Sequence, residues 1–389
     1  MQISLLEDVC KSGDLSTVKR LLEPTNFFFR MTRISTYDKY DLYMALKGAC
    51  VGGHLDIVQY LLSDNITKKF PGIDPVDDDN YCIRWACSSG HLDVIEYLLS
   101  GKITQKFPGI DPTSQDNRNF CIRDACSGGH LDIVQYLLSD PITKKFPGID
   151  PTVCKNSCLG RACSSGRLDI VKYLLSDPIT KKFPGIDPVD DDNYCIRWAC
   201  SSGHLDIVKY LLSEEITSKF PGIDPTANNN NALRWTCRDG HLDIVQYLLS
   251  DPVTQKFPGI NPSANYNYAL RWTCRNGYLG VLQYLLRESI TKKFPGICDI
   301  SFIEEILEGH YRASCECRTF LQNYVKGISN KEPQEILSYA IECDICYEKK
   351  NYTINMGCCI GYKVCTDCMK QIQDSENKVC PFCRKFINM

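Results

Sequence analysis

Eight cysteines crowd the end of the chain in the order Cys343-x2-Cys346-x11-Cys358-Cys359-x5-Cys365-x2-Cys368-x11-Cys380-x2-Cys383. A Cys-x-x-Cys pair aims two thiolates at one ion, and Zn²⁺ takes four soft ligands in a tetrahedron. Three such pairs plus an adjacent pair supply enough thiolates for two closed sites, hence two Zn²⁺ ions. No histidine lies between Cys343 and Met389, so a fully bound two-zinc module there is all-cysteine. Residues 342–389 are too few to bury a large core, and bound metal must supply most of their folding energy. The other sixteen of the 24 cysteines are spread over the preceding residues. In a reducing compartment these read mostly as small buried apolar side chains.

What precedes the module is periodic. The phrase Gly-His-Leu-Asp-Ile-Val-x-Tyr-Leu-Leu recurs with small changes, its glycines being Gly13, Gly53, Gly90, Gly129, Gly166, Gly203, Gly240 and Gly277. Successive steps are 40, 37, 39, 37, 37, 37 and 37 residues, and segments 66–93 and 179–206 are identical over 28 positions. Within a unit, Asn231–Cys237 has apolar residues near helical spacing and runs to a glycine stop. The following segment, 241–249, places Leu242, Val245, Leu248 and Leu249 on one face, which predicts a second, antiparallel helix. Neither helix can bury its face alone, so neighbouring units must stack. Small pairs at Ala86-Cys87, Ala125-Cys126, Ala162-Cys163 and Ala199-Cys200 let adjacent helices approach closely.

These units resemble ankyrin repeats. Leu233-Arg234-Trp235-Thr236-Cys237 stands where that family has Leu-His-x-Ala-Ala, Gly240–Val245 matches its Gly-His-x-x-Ile-Val, and Gly222-Ile223-Asp224 its Gly-Ala-Asp. The resemblance covers residues 1–297 and implies a mostly α, ankyrin-like helical solenoid that binds a protein target. It departs from the family in two places. The family's β-hairpin finger is shortened, and an extra Ile-Thr-Lys-Lys-Phe-Pro block recurs at 66–71, 103–108, 142–147, 179–184, 216–221, 253–258 and 290–295. Residues 298–341 break the period; Ile300–Leu307 and Thr319–Val325 read as amphipathic helices that cap the stack and link it to the metal module. Cys315 and Cys317 there read as free buried thiols.

Several side chains of the array admit two readings. The Lys-Lys-Phe-Pro blocks could form a basic ladder for an acidic partner, or Phe and Ile could plug gaps while the lysines stay solvated; acids such as Asp77-Asp78-Asp79 favour the second. Trp85, Trp198, Trp235 and Trp272 share one place in their units, either an aromatic binding stripe or packing. His54, His91, His130, His204 and His241 open second helices, where a capping or interhelical hydrogen bond suffices, while His310 has no evident partner. The two residues before each unit glycine line the concave side in ankyrin proteins. They are mostly serine here, except for Arg238-Asp239 and Arg275-Asn276. With Asn228, Asn229, Asn230 and Tyr266 in the adjoining fingers, these mark the candidate target face.

The terminal module resembles a RING finger of the all-cysteine variety, as Gly361–Cys365 and Cys380-Pro381-Phe382-Cys383-Arg384 suggest. The family's cross-brace implies one site at Cys343, Cys346, Cys365 and Cys368 and another at Cys358, Cys359, Cys380 and Cys383. Adjacent Cys358-Cys359 depart from the usual Cys-x-His. The resemblance further implies a docking face for a ubiquitin-conjugating enzyme. Ile345, Ile372 and Pro381 occupy its usual places, and Arg384 the place of the basic residue that holds enzyme and ubiquitin together. The function expected is a RING-type E3 ubiquitin ligase without a covalent intermediate; the alternative is a non-catalytic protein-binding adaptor with a structural zinc module. A formal charge of −3 and scattered module lysines argue against a nucleic-acid partner. The first residues lack a basic n-region and no apolar stretch suits a span, so no secretory signal or membrane contact is expected. The chain is expected inside a cell, cytoplasmic or nuclear. The repeat style is similar to that of amoebae and large DNA viruses, which for a viral chain means the host cell.

Overall fold

The computed structural model describes residues 3–23, 37–113, 118–298 and 300–329, with strand residues 341–342, 349–350, 353–355 and 363–365. The chain divides into two compact units, Met1–Ile223 and Asp224–Met389. In the first, helices Ile3–Ser12 and Leu15–Leu22 form a divergent opening pair. Repeats with three helices follow: Lys39–Gly52, Leu55–Leu61 and Asp64–Lys69, then Asp77–Ser89, Leu92–Leu98 and Gly101–Lys106, and so on to Glu214–Lys219. The second unit carries two such triplets, beginning at Ala227–Asp239 and at Ala264–Asn276. Both units are therefore mostly helical, ankyrin-like stacks.

The third helix corrects the expectation of two helices per repeat. It is the Ile-Thr-Lys-Lys block itself, and its local signals are plain in Ser139-Asp140-Pro141-Ile142: Ser139 is the N-cap and Pro141 stands in the first turn, where its missing N–H costs nothing. The Ser139 hydroxyl donates back to Tyr136 O at 2.6 Å. Ile142 is buried, and Phe146-Pro147-Gly148 ends the helix.

The eight unit glycines found by period all have positive φ, from 74° to 90°. At Gly53 the requirement is doubled, because a Cβ would lie 2.3 Å from the His91 ring of the next repeat. The finger is altered more than its shortness suggests. Among the described residues of the array no strand forms; instead three consecutive residues within the first turn of the repeat's first helix are left-handed and kink it. Examples are Asp78-Asp79-Asn80 (φ 53°, 53°, 65°) and Asn228-Asn229-Asn230 (φ 54°, 57°, 60°). Asn and Asp tolerate this region better than other residues bearing a Cβ.

In the first five of these turns the last asparagine is buried and pairs with the next repeat's backbone. Asn80 Nδ2 donates to Gly109 O at 3.1 Å, while its Oδ1 accepts from Asp111 N at 3.0 Å. Asn119, Asn156 and Asn230 repeat the two-bond bridge. Asn193 donates to Gly222 O.

Cysteines fill the tight space between first helices as expected, and thiols of neighbouring repeats face each other: Cys50 and Cys82, Cys87 and Cys121, Cys126 and Cys158, Cys163 and Cys195. In the second unit, helices Ile300–Leu307 and Cys315–Ser329 cover the last repeat. Ser314 N donates to Cys274 O at 2.8 Å, and Cys317 is fully buried against Cys274. The second of these helices is longer than its apolar pattern indicated. Cys315 is only half-buried, which corrects the reading of both thiols as buried.

Candidate functional site

Most of the array's polar candidates hold repeat to repeat. His54, His91, His130 and His204 donate from Nε2 to carbonyls of the preceding repeat, Lys11 O, Val51 O, Ser88 O and Ser164 O, at 2.9–3.1 Å. Where this position is Arg167, its Nε donates to Ser127 O at 3.3 Å. The interhelical role expected of these histidines is the observed one.

The lysine just before the phenylalanine of these blocks is neither part of a free ladder nor solvated. Lys69, Lys106, Lys145, Lys182 and Lys219 reach back to Leu22 O, Leu62 O, Leu99 O, Leu138 O and Leu175 O at 2.7–3.0 Å. Most of these carbonyls close a second helix, where a cation complements both the unpaired C=O and the dipole. Asp64, Asp140 and Asp177 join the same lysines, and hydrogen bonds from Lys106, Lys182 and Lys219 hold these carboxyls below the ordinary value of 3.8.

The tryptophans are half-buried, between the two readings offered for them. Tyr81 packs against Trp85, Tyr194 against Trp198 and Tyr268 against Trp272, with ring centroids 5.4–5.7 Å apart and the rings tilted by 35–54°. In the first unit Trp85 lines a groove of about 390 Å³ with Arg84, Ser88, Asp124 and Arg161. Its indole N–H is buried without an acceptor among the described residues. Asp124, which stands where other repeats have tryptophan, takes Arg84 Nε at 3.0 Å and lies 3.9 Å from Arg161. This groove was missed in the sequence because its residues come from three repeats. The one available signal was an aspartate at a tryptophan position.

In the second unit the candidate target residues do not act alike. Arg238 and Asp239 form a two-point ion pair, at 2.8 and 3.0 Å, so their charges offset each other. The Arg238 guanidinium also covers the Trp235 ring at 4.8 Å. Asn276 Nδ2 donates to Arg238 O at 2.7 Å, tying adjacent repeats. Asn230 is buried in the asparagine ladder, which corrects its assignment to a docking face. Tyr266 sits in a left-handed turn and is 85% exposed. Arg275 lies 4.4 Å above the Trp272 ring and enters a pocket of about 330 Å³ with Arg271, His310, Tyr311 and Arg312. Sequence reasoning left His310 unassigned; the cap delivers it here.

The cysteines expected to bind metal, Cys343, Cys346, Cys358, Cys359, Cys368, Cys380 and Cys383, with Ile345, Ile372, Pro381 and Arg384, lie outside the described residues. Cys365 ends strand Lys363–Cys365, of which only the backbone is described. Strand Ile341–Glu342 pairs antiparallel with Lys349–Lys350, and Thr353–Asn355 with Lys363–Cys365.

A stack of helical repeats joined by side-chain-to-backbone ladders is a scaffold for binding another protein. A family model described as Ankyrin repeats (3 copies) matches residues 6–116, 101–192, 178–256 and 196–295, well over half of the chain. The chain belongs to the ankyrin-repeat family, and its array is a protein-interaction module. A comparison with curated proteins finds no match. Among the described residues no helix is long and apolar enough to cross a membrane.

Proposed function

We propose that the chain is a RING-type E3 ubiquitin ligase, in which the ankyrin array holds a protein target and the terminal module positions a conjugating enzyme–ubiquitin thioester. The observation that carries this reading is the register of the eight terminal cysteines. The two antiparallel strand pairs support it, since one flanks the segment containing Cys343-x2-Cys346 and the other the segment containing Cys358-Cys359.

In this reading Cys343, Cys346, Cys365 and Cys368 would hold one Zn²⁺, and Cys358, Cys359, Cys380 and Cys383 the other. Four thiolates close each site, so the metal would supply cross-links and no open position for chemistry. Ile345, Ile372 and Pro381 would dock the conjugating enzyme, and Arg384 would bridge it to ubiquitin. With the module's thiolates committed, none is left to accept ubiquitin. The array's buried thiols do not supply a nucleophile readily either: burial raises Cys87, Cys126, Cys163 and Cys237 well above the ordinary thiol value. Transfer would therefore be direct. A target lysine amine attacks the thioester carbonyl, the isopeptide C–N bond forms, and the C–S bond breaks to return the conjugating enzyme's thiol. The chain's contribution is orientation of the thioester and a raised local concentration of the target.

The test is autoubiquitination by full-length, zinc-loaded protein with a panel of conjugating enzymes. Ubiquitin ladders that disappear in Ile345→Ala and Cys343→Ser are expected. No ladder with any enzyme, from protein carrying two zinc ions, would favour the adaptor.

A further inference from the structure

The pocket between the last repeat and its cap differs in charge from the groove of the first unit. In that groove Asp124 sits between Arg84 and Arg161, supplied by the preceding and following repeats. The chain thus furnishes its own carboxylate where arginines converge. At the corresponding place in the last repeat stands Trp272. Helix Ala264–Asn276 presents Arg271, Trp272 and Arg275, and the cap presents His310, Tyr311 and Arg312. Among the described residues none of the three arginines meets a carboxylate at ion-pair distance.

These cations are held in place by other means. Arg275 stacks over Trp272, and Arg271 lies 5.3 Å from the Tyr311 ring centre while its guanidinium donates to Asn265 O at 3.1 Å. Tyr311 is braced by Phe302, with ring centroids 5.6 Å apart. His310 N donates to Glu305 O at 3.0 Å, which fixes the loop on the cap helix. Among the described residues the buried Arg271 Nε has no acceptor. Converging guanidiniums with fixed aromatic supports suit a planar anion, because the fork geometry accepts two oxygens at once.

We propose that this pocket binds a carboxylate side chain from an acidic linear segment of the array's protein partner. Glutamate or aspartate would lie among these arginines as Asp124 lies between Arg84 and Arg161, and the Trp272 and Tyr311 rings would pack the flanking residue. This rests on the array's role in holding a protein and does not depend on the zinc module.

The test uses a fluorescein-labelled Glu-Asp hexapeptide and full-length protein at physiological salt, read by fluorescence polarisation. Saturable one-to-one binding is expected, with affinity lost roughly ten-fold or more in the Arg275→Gln/Arg312→Gln double variant. Binding should be unchanged in Lys68→Gln/Lys144→Gln, which removes exposed charges in the first unit, and in Cys343→Ser, which disables the proposed ligase module. Circular dichroism checks that each variant keeps its helices. Equal binding by the arginine variant, equal loss in the lysine variant, or no binding to wild type would overturn the proposal. So would retention only of a phosphoserine peptide or an RNA oligonucleotide, either of which assigns the pocket to a different anion. A failed ligase assay with intact peptide binding would separate the two readings.

Discussion

Asn80→Ala tests the ladder that replaces the usual finger. Asn80 has φ 65° and ψ 34°, is 5% exposed, and makes two hydrogen bonds to the next repeat, to Gly109 O and from Asp111 N. Alanine in the left-handed region costs about 1 kcal/mol. The two lost bonds cost about 1 kcal/mol each, so the destabilisation is roughly 3 kcal/mol. Asn80→Gly loses the bonds but escapes the backbone cost, so it should fall roughly 1 kcal/mol short of the alanine variant. Stability in a stack is local, so the assay is amide exchange of Asp111 in the full chain, alongside urea unfolding followed by tryptophan fluorescence. Faster exchange at Asp111 and the order wild type, Gly, Ala are expected. An alanine variant within 0.5 kcal/mol of wild type, or a glycine variant as unstable as alanine, would refute the reasoning.

Three further outcomes can be checked directly. Brief iodoacetamide treatment of the folded, zinc-loaded chain, mapped by mass spectrometry, should label Cys154 before any other array cysteine. Cys154 is exposed, whereas burial pushes Cys10 up to about 12 and raises Cys237 further. Lys182→Met should destabilise by about 1 kcal/mol, measured by urea unfolding, through loss of the bond to Leu138 O at a helix C-terminus. Stability should also fall on acidification. Asp64, Asp140 and Asp177 have folded-state values below the ordinary 3.8 because of their lysine partners. Their contribution is fully present above the unfolded value and is lost as pH falls through the folded one. An acid titration followed by circular dichroism should show that loss, and Lys182→Met should weaken the Asp140 part of it.

The array was legible because its rule is local. A glycine at positive φ can be read from one residue recurring at a fixed step, and the eight found in this way all proved left-handed. The histidines were also legible, since a polar residue opening a helix has few partners in reach. The third helix was written locally too, in Ser-Asp-Pro-Ile-Thr-Lys-Lys, but measured against a shorter repeat it stood out only as an extra block. Asn80, Asn119, Asn156, Asn193 and Asn230 recur in register, yet their bridging role depends on where the next repeat's Gly-Ile backbone falls. Nothing within one repeat states that. The pocket of Arg271 and His310 was least legible, because it exists only where the cap folds back on the last repeat. The terminal cysteines are the reverse case, in which ligand type and spacing carry the chemistry before any packing is known.

The most direct test of the ligase reading is single-turnover discharge of a preformed conjugating enzyme–ubiquitin thioester to free lysine, with and without the zinc-loaded chain. The account predicts that wild type speeds discharge well above the unassisted rate. It predicts that Ile345→Ala and Arg384→Ala remove the acceleration while leaving two zinc ions bound, and that no ubiquitin becomes thioester-linked to the chain itself. Discharge no faster than the unassisted rate with every conjugating enzyme tried would contradict it, and so would a reducible ubiquitin adduct on one of the chain's own cysteines.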